Sequence, residues 1–361
     1  MSGLEFKPDM DEMKDRLTAW WEGGDIGRPA LLLTAPRETP AEETPYMPEP
    51  EGWVTRYSIT DYDYRVYLGR TWCVNTHYLA ESTPFVSPDL APNCLALYLG
   101  CRGVDMPGTV WCEPFIDDQD EPKEMQFEFD PENIYWKFSW KLGQELKELG
   151  AGKFMLQFPD LIEGLDTLAA IRGSEDLLMD LIERPEWVVR TVAKITEIYF
   201  EYYDRFYELM KDERGGSVFW AWAPGRMCKL QCDFSAMISP DMFDEFMMPA
   251  LRTMTPKFDH CMYHWDGPGA IPHQDLILSL PDLDMVQWTP GSGVEHASDP
   301  RWFPLHHKTI EAGKKVFIAC PDVDTLKILK REFGRDLNNF LLTHSAQSPA
   351  EAEDFLIEAE R

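Results

Sequence analysis

His264 and Asp266 stand one residue apart at the end of a short apolar run, Cys261-Met262-Tyr263, and Gly267-Pro268-Gly269 follows at once. An imidazole and a carboxylate so placed can share a divalent metal. They can equally form an acid–base pair in which the carboxylate fixes the imidazole tautomer. The run reads as a buried strand that delivers polar groups to its C-terminal mouth, which is where an α/β barrel does its chemistry. Alternation along a strand puts 260, 262 and 264 on one face and 261 and 263 on the other, so His264 and Asp266 share a side and Cys261 points away. The plainer alternative is a hydrogen-bonded boundary histidine and a turn-forming aspartate before Gly-Pro-Gly.

Other polar groups follow other expected strands. Arg37 comes after the first strand, Asp160 after a strand at 153–158, and Asp233 shortly after one at 217–222. Gln287 and Trp288 end the next, and Cys320 and His344 end the last two. Asp233 is expected to join His264 and Asp266 as a catalytic group. Asp160, Gln287 and Arg37 are candidates to bind substrate. His344 is the candidate third metal ligand; its alternative is a place in the turn that opens the last helix. Cys320 is the alternative ligand, since a following helix could lower its thiol pKa, or else it is a buried small residue. Trp220, Trp222, Trp265 and Trp288 cluster at the same ends. They are core filling or, for Trp222 and Trp288 above all, walls of a pocket for a flat or methylated ligand. Cys228 and Cys232 have only helical spacing, and His306-His307 reads as a surface pair within a helix.

The elements that must position these groups are regular from about residue 132. Helices are expected near 132–149, 174–182, 186–212, 270–279, 303–313, 322–332 and 349–360, and another opens at Ser239-Pro240 with serine as cap and proline in the first turn. Strands are expected at 284–288, 315–319 and 339–343 besides those above. Several are continuous apolar runs, as in Val316-Phe317-Ile318-Ala319, which implies burial on both faces and a parallel sheet. A helix at 9–23 and a strand at 28–34 precede an irregular, aromatic-rich stretch, 35–130, in which 94–99 and 109–112 could be strands. The expectation is an α/β protein, a (β/α)8 TIM barrel with an elaborated N-terminal cap. Residues 1–130 would supply the first helix, first strand and cap, and 131–361 the main barrel, in one structural domain. No GxGxxG follows the first strand, which removes the main support for a dinucleotide fold.

The chain has 361 residues and a formal charge of −29, with 44% hydrophobic and 13% aromatic residues. That charge argues against nucleic acid and anionic membranes. No apolar run reaches membrane-span length, and the N-terminus lacks the blocks of a signal peptide. Eight cysteines without a CxxC pair fit reduced thiols in a cytoplasmic protein.

Three stretches, taken in order and spacing, resemble the uroporphyrinogen decarboxylase-like superfamily over about residues 130–361. They are Asp160 to Asp166 with Arg172-Gly173, Ile238-Ser239-Pro240-Asp241-Met242-Phe243, and Tyr263-His264-Trp265-Asp266-Gly267. This barrel superfamily includes corrinoid-dependent methyltransferases and is related to cobalamin-independent methionine synthase. The resemblance implies a zinc site in which His264 stands at the family's histidine and Asp266 at its first cysteine. His344 or Ser345 falls near its last cysteine, and Gln287 where the methionine synthase relatives carry a glutamate. The thiolates are therefore not retained, and harder ligands would leave a bound ion a stronger Lewis acid. The implied activity is methyl transfer or demethylation of a small methylated compound, with a corrinoid protein as donor or acceptor, and a homodimer by analogy. A metal-free decarboxylase or lyase on the same barrel, or a non-catalytic binding relative, are the alternatives.

Overall fold

The computed structural model describes residues 3–50, 61–106, 108–116 and 125–361. Parts of the 35–130 stretch therefore lie outside the described residues. In chain order the strands are β1 (Ala30–Pro36), β2 (Thr76–Ala80), β3 (Phe85–Val86), β4 (Arg102–Met106), β5 (Thr109–Glu113) and β6 (Met155–Leu156). There follow β7 (Ser217–Phe219), β8 (Ala221–Ala223), β9 (Met227–Gln231), β10 (His260–Asp266), β11 (Met285–Thr289), β12 (Lys315–Ala319) and β13 (Phe340–Ser345).

The central sheet has seven strands in the order β2-β1-β13-β12-β11-β10-β9. Only the β1–β2 pairing is antiparallel. Its strands are buried on both faces, as helix-covered parallel sheets require: β9 is buried at every position, and β12 at its three central ones. Helices such as Pro185–Met210, Phe303–Glu311, Val323–Phe333 and Pro349–Glu360 make the covering layer. Ser239 Oγ accepts from Met242 N to open the helix Pro240–Phe246.

The fold is α/β, but the ladder does not close into one continuous barrel among the described residues. The causes are local. Beyond β2 the chain keeps contact with β1 through Glu81, whose N donates to Leu31 O and whose Oε2 accepts from Leu31 N, both at 2.9 Å, and through Ser82 Oγ to Leu33 O at 2.8 Å. β3 then pairs with β6 in a separate two-stranded ladder. At the other edge Gln231 N of β9 donates to the Glu163 carboxylate at 2.7 Å instead of to a strand.

Helix Met10–Trp21 buries Met10, Met13, Leu17, Trp20 and Trp21 on one face. It seals the end where the strands begin. Trp21 stacks 4.9 Å from His260, the first residue of β10, and Lys315, the first of β12, lies 4.9 Å from the Trp20 ring. Trp20 Nε1 donates to Asn338 O just before β13. With that end plugged, polar chemistry is confined to the other. Two local expectations change. Cys94–Tyr98 is a short helix, not a strand; all five residues are buried, so no alternation distinguishes the two, and Asn93 caps it through Ala96 N. Tyr62–Asn75 is a further helix, capped by Asp61.

Candidate functional site

β10 carries His264 and Asp266 to one side of the strand ends, with Nε2 and Oδ2 4.0 Å apart. Asp233, in the turn after β9, completes a set whose potential ligand atoms all lie within 4.8 Å of one another. Parallel registry explains the meeting: His264 pairs with Gln231 of β9 and with Gln287 of β11, so the three strand ends open at one level. Gln287 Nε2 donates to Thr289 Oγ1 at 2.8 Å, which leaves Oε1 to accept from His264 Nδ1–H. The histidine tautomer is thereby set, and the Nε2 lone pair faces Asp266.

A hollow of about 470 Å³ adjoins this set. Trp220, His264, Gln287, Phe317, Val294 and Ala297 are among its lining residues. That volume is in the range of small-molecule pockets, roughly 300–1,000 Å³. Among the described residues, no lysine or arginine lines it.

Behind the set lies a dense acidic array with one cation. Lys229, buried on β9, sits 2.6 Å from Asp160 Oδ1 and also donates to Gln231 Oε1. Gln231 Nε2 passes the contact on to Asp233 Oδ2 at 3.1 Å. Burial opposes the Lys229 charge, but Asp160, Glu163 and Asp233 outweigh it and hold its pKa above the ordinary lysine value. Asp166 accepts from the backbone N–H groups of Asp233 and Phe234, both at 2.8 Å, and so caps the turn that carries Asp233. Burial, then the Asp166 and Asp266 charges, raise Asp233 to about 7, although its side chain still reaches solvent through the mouth. Burial raises Glu163 well above the carboxylate range. His264 is pushed down by burial and by Lys229.

The structure thus brings together His264, Asp266, Asp233, Asp160 and Gln287. It does not bring in His344, Cys320, Arg37 or Trp222. His344 turns to the helix layer, where its ring stacks on Phe355 at 4.3 Å and Nδ1 meets Cys320 O at 3.0 Å. The strand runs on to Ser345, so alternation gives the hollow Thr343 and sends His344 outward. Cys320 is buried, and burial raises its thiol to about 12, the reverse of an activated cysteine. Arg37 folds back over the β1–β2 edge and donates to Thr76 O and Phe6 O. Trp222 points to the helix side, with Nε1 on Asp212 at 2.9 Å. Trp288 borders the hollow, while its ring packs between Trp265 and Trp302. His306 is not a surface residue: it is buried, with Nε2 2.9 Å from Ala297 O, whereas His307 meets Glu332 at the surface.

Sequence reasoning missed Lys229 and did not single out Gln231. The signal was present: Lys229, Gln231 and Asp233 recur at period two, the mark of one strand face.

No protein-family model matches the chain, and no curated protein matches it. Among solved structures, the fold is similar to that of a methyltransferase from Methanosarcina mazei. The TM-score is 0.60 at 12% identity, over 96% of this chain and 98% of that one. At that identity the likeness is one of fold.

Proposed function

We propose that this chain is a metal-dependent methyltransferase or demethylase of the uroporphyrinogen decarboxylase-like type. It would act on a small methylated compound, with a corrinoid protein as methyl donor or acceptor. The observation that carries the reading is the convergence of Asp233, His264 and Asp266 within 4.8 Å beside the hollow. The donor set, one imidazole and two carboxylates, fits a divalent ion such as zinc. Such an ion would supply Lewis acidity toward an oxygen or nitrogen group of the substrate. The likeness to a methyltransferase fold supports the class of reaction.

The remaining residues have roles derived from their contacts. Gln287 holds the His264 tautomer that presents Nε2. Asp166 fixes the turn carrying Asp233. Asp160 and Lys229 neutralise one another at the hollow's back and keep Gln231 oriented on Asp233. Trp220 walls the hollow beside His264.

The (β/α)8 barrel belongs to the same proposal. The segment 81–86, with β6, would fill the gap between β1 and β9. The Glu81–Leu31 bond, the β3–β6 ladder, Phe158 N to Val218 O at 3.2 Å and Gln231 N on Glu163 support that path.

The test is elemental analysis of protein purified without added metal, together with turnover of methylated candidates in the presence of a corrinoid protein. Stoichiometric metal that is lost with activity in His264→Ala is expected. Activity without stoichiometric metal would turn the reading to the metal-free decarboxylase or lyase. Binding without product would turn it to a non-catalytic relative.

A further inference from the structure

Trp220 is held at φ +58°, a left-handed conformation that a bulky side chain rarely adopts. Its N–H donates to Gln157 Oε1 at 2.6 Å, so the strained backbone is pinned by a side chain from the neighbouring segment. Strain of this kind persists where the surroundings over-determine it. The consequence is visible at the hollow. The Trp220 ring stands 5.6 Å from His264 at 78° and 6.1 Å from Phe317 at 74°. Two aromatic rings thus meet at nearly a right angle and form a corner in the wall.

The charged groups near that corner are mostly carboxylates. Asp233 and Asp266 form no ion pair with lysine or arginine among the described residues, and the cation nearest them, Lys229, is paired with Asp160. Lys229 is itself buried beneath the wall, 6.0 Å from the Trp220 centroid, which shows the ring already serving as a cation's neighbour. An electron-rich corner beside carboxylates, with no lysine or arginine among the described lining residues, disfavours anions. It also favours a positive charge dispersed over methyl groups.

We propose that the hollow takes a small methylated ammonium ion, its N-methyl groups in the Trp220–Phe317 corner and its charge toward Asp233 and Asp266. This names the substrate class of the site just described, and it rests on that reading for the reaction but not for binding. Aromatic faces supply only part of such recognition, and the carboxylates supply the rest.

The experiment is calorimetric titration with choline, with its neutral carbon isostere 3,3-dimethylbutan-1-ol, and with the anion 3,3-dimethylbutanoate. Each is run on EDTA-treated and on zinc-loaded protein. On the EDTA-treated protein choline is expected to bind at least tenfold more tightly than the alcohol, and the anion most weakly; on the zinc-loaded protein, where the ion takes up the Asp233 and Asp266 charges, the preference is expected to shrink. Trp220→Leu is expected to reduce the preference to threefold or less. Should that variant fail to fold, Phe317→Leu, with a smaller reduction in the same direction, decides. On the EDTA-treated protein, equal binding of choline and the alcohol, tighter binding of the anion, no binding of choline, or an unchanged preference in the folded variant would overturn the proposal. Because the EDTA-treated protein is read separately, absence of a metal defeats the metal reading while leaving the ammonium proposal to stand or fall by itself.

Discussion

The two ends of the strands treat carboxylates in opposite ways. Near the start of β1, Glu81 is wholly buried and wholly satisfied: Arg28 meets it with two bonds at 2.7 and 2.9 Å, Leu31 N donates at 2.9 Å, and Arg16 Nε donates at 2.9 Å. At the mouth, Asp233, Asp266 and Asp160 share one ammonium among them, and the first two are left to a histidine and a glutamine. A carboxylate that is buried and fully paired holds a fold together. Carboxylates crowded together without cations are costly to assemble, and such an arrangement marks a place where a charge is to be received.

The largest effect that follows lies at the mouth. His264→Ala is expected to lower bound metal and turnover by more than about a hundredfold, beyond the 10–100-fold typical of supporting residues. Its thermal midpoint should stay near that of the parent, because the ring is partly exposed in an open hollow. A large loss of stability with metal retained would collapse the contrast between the two ends. At the other end, Glu81→Gln should cost roughly 3–5 kcal/mol by urea unfolding and leave metal content unchanged, since it strands two buried guanidinium contacts. Burial alone would raise Glu81, but Arg28, the Leu31 N–H and Arg16 outweigh it and hold its pKa below the ordinary glutamate value. Its stabilisation is therefore full above the unfolded-state pKa, about 4.3, and is lost as pH falls through the folded value. A variant with the parent's stability would remove Glu81 from the fold's supports.

How far these features could be read in the chain depends on where alternation was interrupted. β10, β11, β12 and β13 are apolar runs with clear ends, and their order showed a parallel α/β sheet. β9 was hidden because Lys229 and Gln231 break its apolar run, although both are buried. The segment 217–222 reads as one strand, which would put Trp220 and Trp222 on a shared face. The positive φ at Trp220 splits it into β7 and β8 and sends the two rings to opposite sides. His344 was misplaced by a boundary: a strand ending at 343 leaves it free in a turn, and a strand reaching Ser345 turns it outward. The His264–Asp266 spacing needed no such knowledge, since two residues on one strand share a face in any sheet. Asp233 came from its place after a strand, but its caps, Asp166 and Gln231, depend on tertiary contacts that no local pattern encodes.

Gln287→Leu sharpens the contrast from within the mouth. The substitution removes the acceptor on His264 Nδ1 while keeping the strand apolar. Metal affinity, measured by competition with a chromogenic chelator, is expected to fall 10–100-fold, as for other groups that orient a ligating histidine. Gln287→Glu, which restores an acceptor, should recover most of it. Equal affinity in Gln287→Leu and parent would mean that the histidine tautomer is set by something else.

The smallest effect concerns a second imidazole. His306 and His264 are both pushed down by burial, but among the described residues no carboxylate faces His306: its partner is the Ala297 carbonyl. Burial takes His306 to about 4 from an ordinary value of 6.5. The unfolded chain therefore binds the proton first as pH drops. The stabilisation is full above about pH 6.5 and shrinks as pH falls toward 4, reaching roughly 2 kcal/mol of loss by pH 5 on these two values. Urea unfolding of parent and His306→Gln at pH 8 and pH 5 isolates this contribution from the carboxylates, which the two proteins share. The variant is expected to lose about 2 kcal/mol less than the parent over that interval. Parallel losses would place the His306 proton equilibrium near its ordinary value.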